Sequence, residues 1–143
     1  MKMRNRILGV LVVAKFWIAV PLAAAPLPSS GIFVFSSLCH GEEDAGGNRI
    51  VIFREPLTTT AIYWRAEGAI LEPLVAYGQD VKIDDRSGKI SMRFADPAFG
   101  SAGVYVLEGS VSEEALVLDG QPTGPVRLPR VREFGQRLPA CKR

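Results

Sequence analysis

Beyond residue 25 the apolar residues come in short runs broken by Gly, Pro, Asp and Asn. No useful length carries the i, i+3, i+4, i+7 stripe of an amphipathic helix. The runs read as strands. "GIFVFSSL", Gly31 to Leu38, predicts the first. "NRIVIFRE" predicts a second, with Ile50 to Phe53 as a buried run ended by Pro56. "TTTAIYWR", Thr58 to Arg65, is rich in the β-branched and aromatic residues that suit a pleated surface. Glu67-Gly68 predicts a turn into "AILEPLVAYG", where Pro73 marks an edge, a bulge or a break.

The clearest alternation is in "VKIDDRSGKISMRF". Asp84 to Gly88 holds turn formers, with Gly88 suited to a positive φ at a bulge. After it Ile90, Met92 and Phe94 alternate with Lys89, Ser91 and Arg93, so one face is buried and the other wet. "AGVYVLEGSV" and "EEALVLDG" predict another hairpin, with Gly109 and Ser112-Glu113 in or near the reversal. "GPVRLPRV" closes the sheet, its two prolines restricting it to an edge. About eight antiparallel strands at this spacing predict an all-β domain, a small barrel or sandwich. Its expected core is Ile50, Ile52, Ile62, Ile90, Met92, Phe94, Val104, Val106, Leu116 and Leu118.

The first 25 residues follow a different pattern. Lys2, Arg4 and Arg6 precede a run that is apolar from Ile7 to Ala25 apart from Lys15. A basic start, an apolar middle and small residues at Ala23 and Ala25 are the parts of a signal peptide, here a signal helix over 1–25. Cleavage after Ala25 places Pro26 beyond the scissile bond, a poor substrate. Cleavage after Ala24 puts Leu22 where a small residue is preferred. The alternative is an uncleaved anchor, because the run approaches the ~20 residues that span a bilayer. Lys15 opposes that, at roughly 2.5–3.5 kcal/mol for a charge at the centre of a span. Both readings place a single domain, residues 26–143, outside the cytoplasm, periplasmic or secreted. Cys39 lacks the preceding small residues of a lipidation site.

The leader also distorts the charge. The full chain is +2, with 17 basic and 15 acidic residues, but four of the basic residues lie in the leader, so the remainder is −2. Residues 26–125 carry 7 basic and 14 acidic side chains, and the tail 126–143 carries 6 basic against Glu133 alone. An acidic body with a basic tail is not the basic face of a nucleic-acid-binding domain. The tail is expected to fold back on the body. A membrane partner is expected only if the leader is retained.

Candidate chemistry centres on "LCHGEED", Leu38 to Asp44, with one of two cysteines and the sole histidine. Export into an oxidising space predicts a Cys39–Cys141 disulfide, and chain ends of compact domains often lie close. Pairing leaves His40 alone, too few ligands for zinc in one chain. Glu42, Glu43 and Asp44 lack the alternating oxygen spacing of an EF-hand calcium loop. The stretch therefore reads as a disulfide anchor followed by a solvated hairpin loop, and no cofactor or metal is expected. The chain has no phosphate-binding glycine loop, G-x-S-x-G elbow or H-E-x-x-H. Asp84-Asp85 and Glu113-Glu114 fall in turns, and Glu72 and Glu108 are expected to face outward from apolar strands. No catalytic residue is assigned and the protein is expected not to be an enzyme, since acid–base catalysis most often uses His.

Tyr63, Trp64, Tyr77, Phe99 and Tyr105 either fill the core or form a recognition surface. Ser101-Ala102-Gly103-Val104-Tyr105 and Glu113 to Leu118 resemble, in order and position, a short Ser-Gly stretch ending in Tyr and its sequel in the C-type lysozyme inhibitor family. Those are small exported β-barrels with a cysteine near each end. Here Ala102 separates the Ser and Gly, and the chain is longer with a basic tail. Two expectations follow. The first is an exported, non-enzymatic β-domain that binds a protein of the cell envelope or a small ligand, with Tyr63, Trp64, Ser101, Gly103 and Tyr105 as recognition candidates. The second, implied by the resemblance, is a periplasmic lysozyme-inhibitor-like protein.

Overall fold

The computed structural model describes residues 25–42, 44–70, 74–95, 103–133 and 137–141. Residues 1–24 of the expected signal helix lie outside them, as do Glu43, Glu72, Pro73, Phe99 and Ser101. Ten strands are present among the described residues. They are β1 (Gly31–Ser36), β2 (Cys39–His40), β3 (Ala45–Glu55), β4 (Thr58–Ile70) and β5 (Leu74–Tyr77). After a 3-10 turn at Gly78–Asp80 come β6 (Val81–Ile83), β7 (Lys89–Ala95), β8 (Val104–Val111), β9 (Ala115–Leu118) and β10 (Val126–Val131).

The strand ladders are antiparallel, in the order β5-β4-β3-β1-β10-β9-β8-β7-β6, with β2 paired to β3. The two ends of this order curl toward each other, with β5 packed on β7 and β4 on β6, so the sheet forms a nearly closed barrel. The all-β expectation holds, and of barrel and sandwich the protein is a barrel.

Period-two facing builds the interior. Phe35, Ile50, Ile52, Met92, Phe94, Leu107, Leu116, Leu118 and Leu128 are fully buried. Each contributes on the order of 1.5–3 kcal/mol relative to exposure. Gly109 sits in the middle of β8, where a Cβ would lie 1.9 Å from the Val117 carbonyl oxygen. The missing side chain allows β9 to approach.

Four expectations need correction. Val104 and Val106 are 49% and 46% exposed, not core. Val-Tyr-Val-Leu is apolar at both parities, and β8 turns Tyr105, Leu107 and Val111 inward instead. Ile62 is only half-buried, on the outer face of β4, level with Val51 and Val75. Glu67-Gly68 is not the reversal. Gly68 takes φ +81° yet pairs with Ala45, because β3 begins early enough to give residues 65–68 of β4 partners. Finally, β10 is not an edge. It pairs with β9 through Val126 to Pro129 and with β1 through Arg130 and Val131. The Arg130 N–H donates to the Glu114 carbonyl at 2.9 Å. Alternation then points the Pro129 nitrogen, which has no hydrogen, toward the β1 side, just past the last β1–β10 pair.

The turn acids are more than solvated charges. Asp84 accepts from the Arg86 N–H at 2.9 Å and the Ser87 hydroxyl at 2.8 Å. These bonds hold its pKa below the ordinary carboxylate value. Asp85 pairs with Arg54, and Glu114 with Arg132 at 2.6 Å. Arg54 also donates to the carbonyls of Leu27 and Pro28 at 2.9 and 3.0 Å. The Ala25 carbonyl accepts from the Glu113 N–H at 3.0 Å. Residues 25–30 are thus strapped across one end of the barrel, with Leu27 buried beneath.

Candidate functional site

At the opposite end the described residues form a cleft. β3 supplies Asn48, β4 supplies Tyr63, Arg65 and Glu67, β8 supplies Tyr105, Val106 and Glu108, and Asp119 to Pro122 follow β9. Together they line a cleft of about 710 Å³. Its base is aromatic. The Tyr63 and Tyr105 rings stack with centroids 5.6 Å apart and planes within 1°. Phe94 lies tilted against Tyr63 at 5.8 Å. These rings converge because each is on the inward parity of its strand near the same barrel end. The Tyr63 hydroxyl donates to Asn48 Oδ1 at 2.8 Å. Burial, then the hydrogen bond with Tyr105, push the Tyr63 pKa far above its ordinary value.

The rim is polar. Arg65 is paired with Glu67 at 3.3 Å, while Glu108 and Asp119 are exposed. The Asp119 N–H donates to the Glu108 carbonyl at 2.8 Å, which holds the segment after β9 against β8. With three carboxylates to one guanidinium, the cleft offers negative charge beside tyrosine rings.

Of the recognition candidates, the structure brings Tyr63 and Tyr105 together. Trp64 has the other parity, opposite Arg49 and outside the cleft. Gly103 is half-buried just before β8, and Ser101 falls outside the described residues. Tyr77 is 66% exposed toward the strapped end. Asn48, Arg65, Glu67 and Asp119 were not singled out from sequence. Counting back by two from Ile50 puts Asn48 on the inner face, and forward from Tyr63 does the same for Arg65 and Glu67. That signal was available in the alternation.

"LCHGEED" is a clamp. Cys39 and Cys141 form a disulfide with Cα atoms 4.8 Å apart, 102 positions apart in sequence. The His40 N–H donates to the Pro139 carbonyl at 2.8 Å, and the Cys141 N–H donates to the His40 carbonyl at 2.9 Å. The exposed His40 ring places Nδ1 3.3 Å from the Gly41 carbonyl oxygen and does not line the cleft. Gly41 N–H closes the loop onto the Asp44 carbonyl at 2.8 Å. Among the described residues no three His, Cys, Asp or Glu side chains group as a metal site.

The described residues thus define a disulfide-clamped, nearly closed antiparallel barrel with one strapped end and, at the other, a tyrosine-based cleft lined by more carboxylates than guanidinium groups. Comparison with protein-family models, curated proteins and solved structures finds no match.

Proposed function

We propose that the protein is an exported, non-enzymatic domain that works by recognition, taking a partner at the cleft end of the barrel. The carrying observation is the cleft itself: stacked tyrosines at its base, Glu67, Glu108 and Asp119 around it, and a barrel interior already filled with side chains. A filled interior favours docking at the mouth over enclosure of a ligand. The charge of the rim favours a protein of the cell envelope that presents a basic, partly apolar surface, with a small amine-bearing ligand of the same chemistry as the lesser case. Tyrosine rings supply large contact area at low entropic cost, as in many hot spots.

The test is a pull-down from the exported fraction followed by affinity measurement. Glu108→Arg alters only an exposed rim side chain and is expected to weaken binding at least about tenfold, or about 1.4 kcal/mol. His40→Ala leaves clamp, core and cleft intact and is expected to shift affinity by less than about 1 kcal/mol. An unchanged Glu108→Arg affinity, or dependence on His40, overturns the reading. Lysozyme is included as a defined partner. Of the stretch that resembles lysozyme inhibitors, Tyr105 lines this cleft, so inhibition sensitive to Glu108→Arg identifies the inhibitor-like alternative.

A further inference from the structure

The outside of the barrel is two-sided. On β7 the outward positions are Lys89, Ser91 and Arg93, as expected of a wet face. On β1, β3, β4 and β5 they are mostly apolar. Cross-strand register aligns Ile32, Phe53, Thr60 and Tyr77 in one row. The next row is Val34, Val51, Ile62 and Val75.

Of the large apolar side chains exposed among the described residues, Val104 and Val106 lie on β8 toward the cleft end and the other four toward the strapped end. Ile32 is 53% exposed, Phe53 36% and Tyr77 66%, and Leu57, in the turn between β3 and β4, is 99% exposed. Arg54, beside Phe53, holds the carbonyls of Leu27 and Pro28. Ala25, the last residue of the apolar run that begins at Ile7, is held at this same end by the Glu113 N–H. Leucine and phenylalanine with a tyrosine beside them match the depth profile of a bilayer interface, where apolar groups insert about 5–10 Å and tyrosine sits at the headgroups.

We propose that, in the chain that retains its leader as an anchor, the rim formed by Ile32, Phe53, Leu57 and Tyr77 docks on the bilayer that holds that anchor. The cleft then faces away from the membrane. Attachment is apolar, not electrostatic: Glu55, Asp84, Asp85, Glu113 and Glu114 are interspersed at this end with Arg54, Arg86, Lys89, Arg130 and Arg132, and Arg54–Asp85 and Arg132–Glu114 are paired, so it is no basic patch for anionic lipid. This inference does not rest on the cleft reading, which is tested without lipid.

The experiment uses the full chain in phosphatidylcholine vesicles. With the native disulfide kept oxidised, Leu57→Cys or Arg93→Cys carries an environment-sensitive label. Both positions are exposed, so neither change disturbs the core. The Leu57 label is expected to be quenched several-fold more strongly by nitroxide-bearing lipid than the Arg93 label, and less by aqueous iodide. Salt at about 1 M, where the Debye length is near 3 Å, is expected to leave this unchanged. Equal quenching at the two positions overturns the proposal, as does loss of the contrast in salt. Protection of Leu57 from iodide without quenching from lipid assigns the rim to a second protein molecule and overturns it too.

Discussion

Leu107→Ala and Val106→Ala are a matched pair on neighbouring positions of β8, and they test the facing of that strand. Leu107 is 1% exposed and Val106 is 46% exposed. Truncating Leu107 removes three buried carbons, about 2.4 kcal/mol of transfer free energy at ~0.8 kcal/mol each. The cavity adds roughly 24 cal/mol per Å³ that the surroundings fail to fill, within a usual range of about 2–5 kcal/mol in total. Its neighbours across the ladder include Met92 on β7, itself fully buried, so the site has little room to collapse. We expect a loss of about 3 kcal/mol. Val106 loses two carbons that are already half in water, so about 0.8 kcal/mol is expected. Urea unfolding of the oxidised protein measures both. At a slope of roughly 1–3 kcal/mol/M, the Leu107 midpoint falls by at least about 1 M. Equal losses at the two positions, or a greater loss at Val106, would mean that β8 faces the other way and would move Tyr105 out of the cleft.

Three further outcomes are expected. Free-thiol labelling of unreduced protein finds no reactive thiol, and Cys39→Ser with Cys141→Ser lowers stability by up to ~4.7 kcal/mol, the chain-entropy value for a loop of about 100 residues; two reactive thiols in protein isolated without reductant would refute the clamp. Tyr63 keeps its proton to higher pH in the fold than in the unfolded chain, so its contribution is full below about pH 10 and is lost as pH rises through the raised folded pKa. Comparing urea midpoints on either side of that pH shows this, and Tyr63→Phe is expected to reduce the alkaline loss; an unchanged loss would show that Tyr63 titrates normally. Gly109→Ala forces a Cβ to within 1.9 Å of the Val117 carbonyl oxygen and is expected to cost at least about 1–3 kcal/mol by thermal or urea unfolding. A neutral result would mean that β8 and β9 are farther apart than this.

Where a strand is wet on one face and dry on the other, its own residues report its facing. Lys89, Ser91 and Arg93 against Ile90, Met92 and Phe94 are enough, and those three apolar side chains are buried. Turn chemistry at Asp84 to Gly88 is equally local, and the two cysteines needed only an oxidising destination to suggest their pairing. Other features had no local signature. Val104 to Leu107 is apolar at both parities, so only pairing with β7 and β9 decides which side is buried. The prolines of "GPVRLPRV" argue for an edge until β10 is seen changing partners beside Pro129, where a missing N–H costs no ladder bond. Gly68 looks like a turn until β3 is seen to extend alongside it. The cleft is the extreme case. It collects residues from β3, β4, β8 and the segment after β9, which are remote in sequence and meet because a sheet that curls toward closure brings β4 across from β8. Alternation measures contrast within one segment, whereas register and curvature arise from which segments pair, and those long-range choices decided where the tyrosines and carboxylates came together.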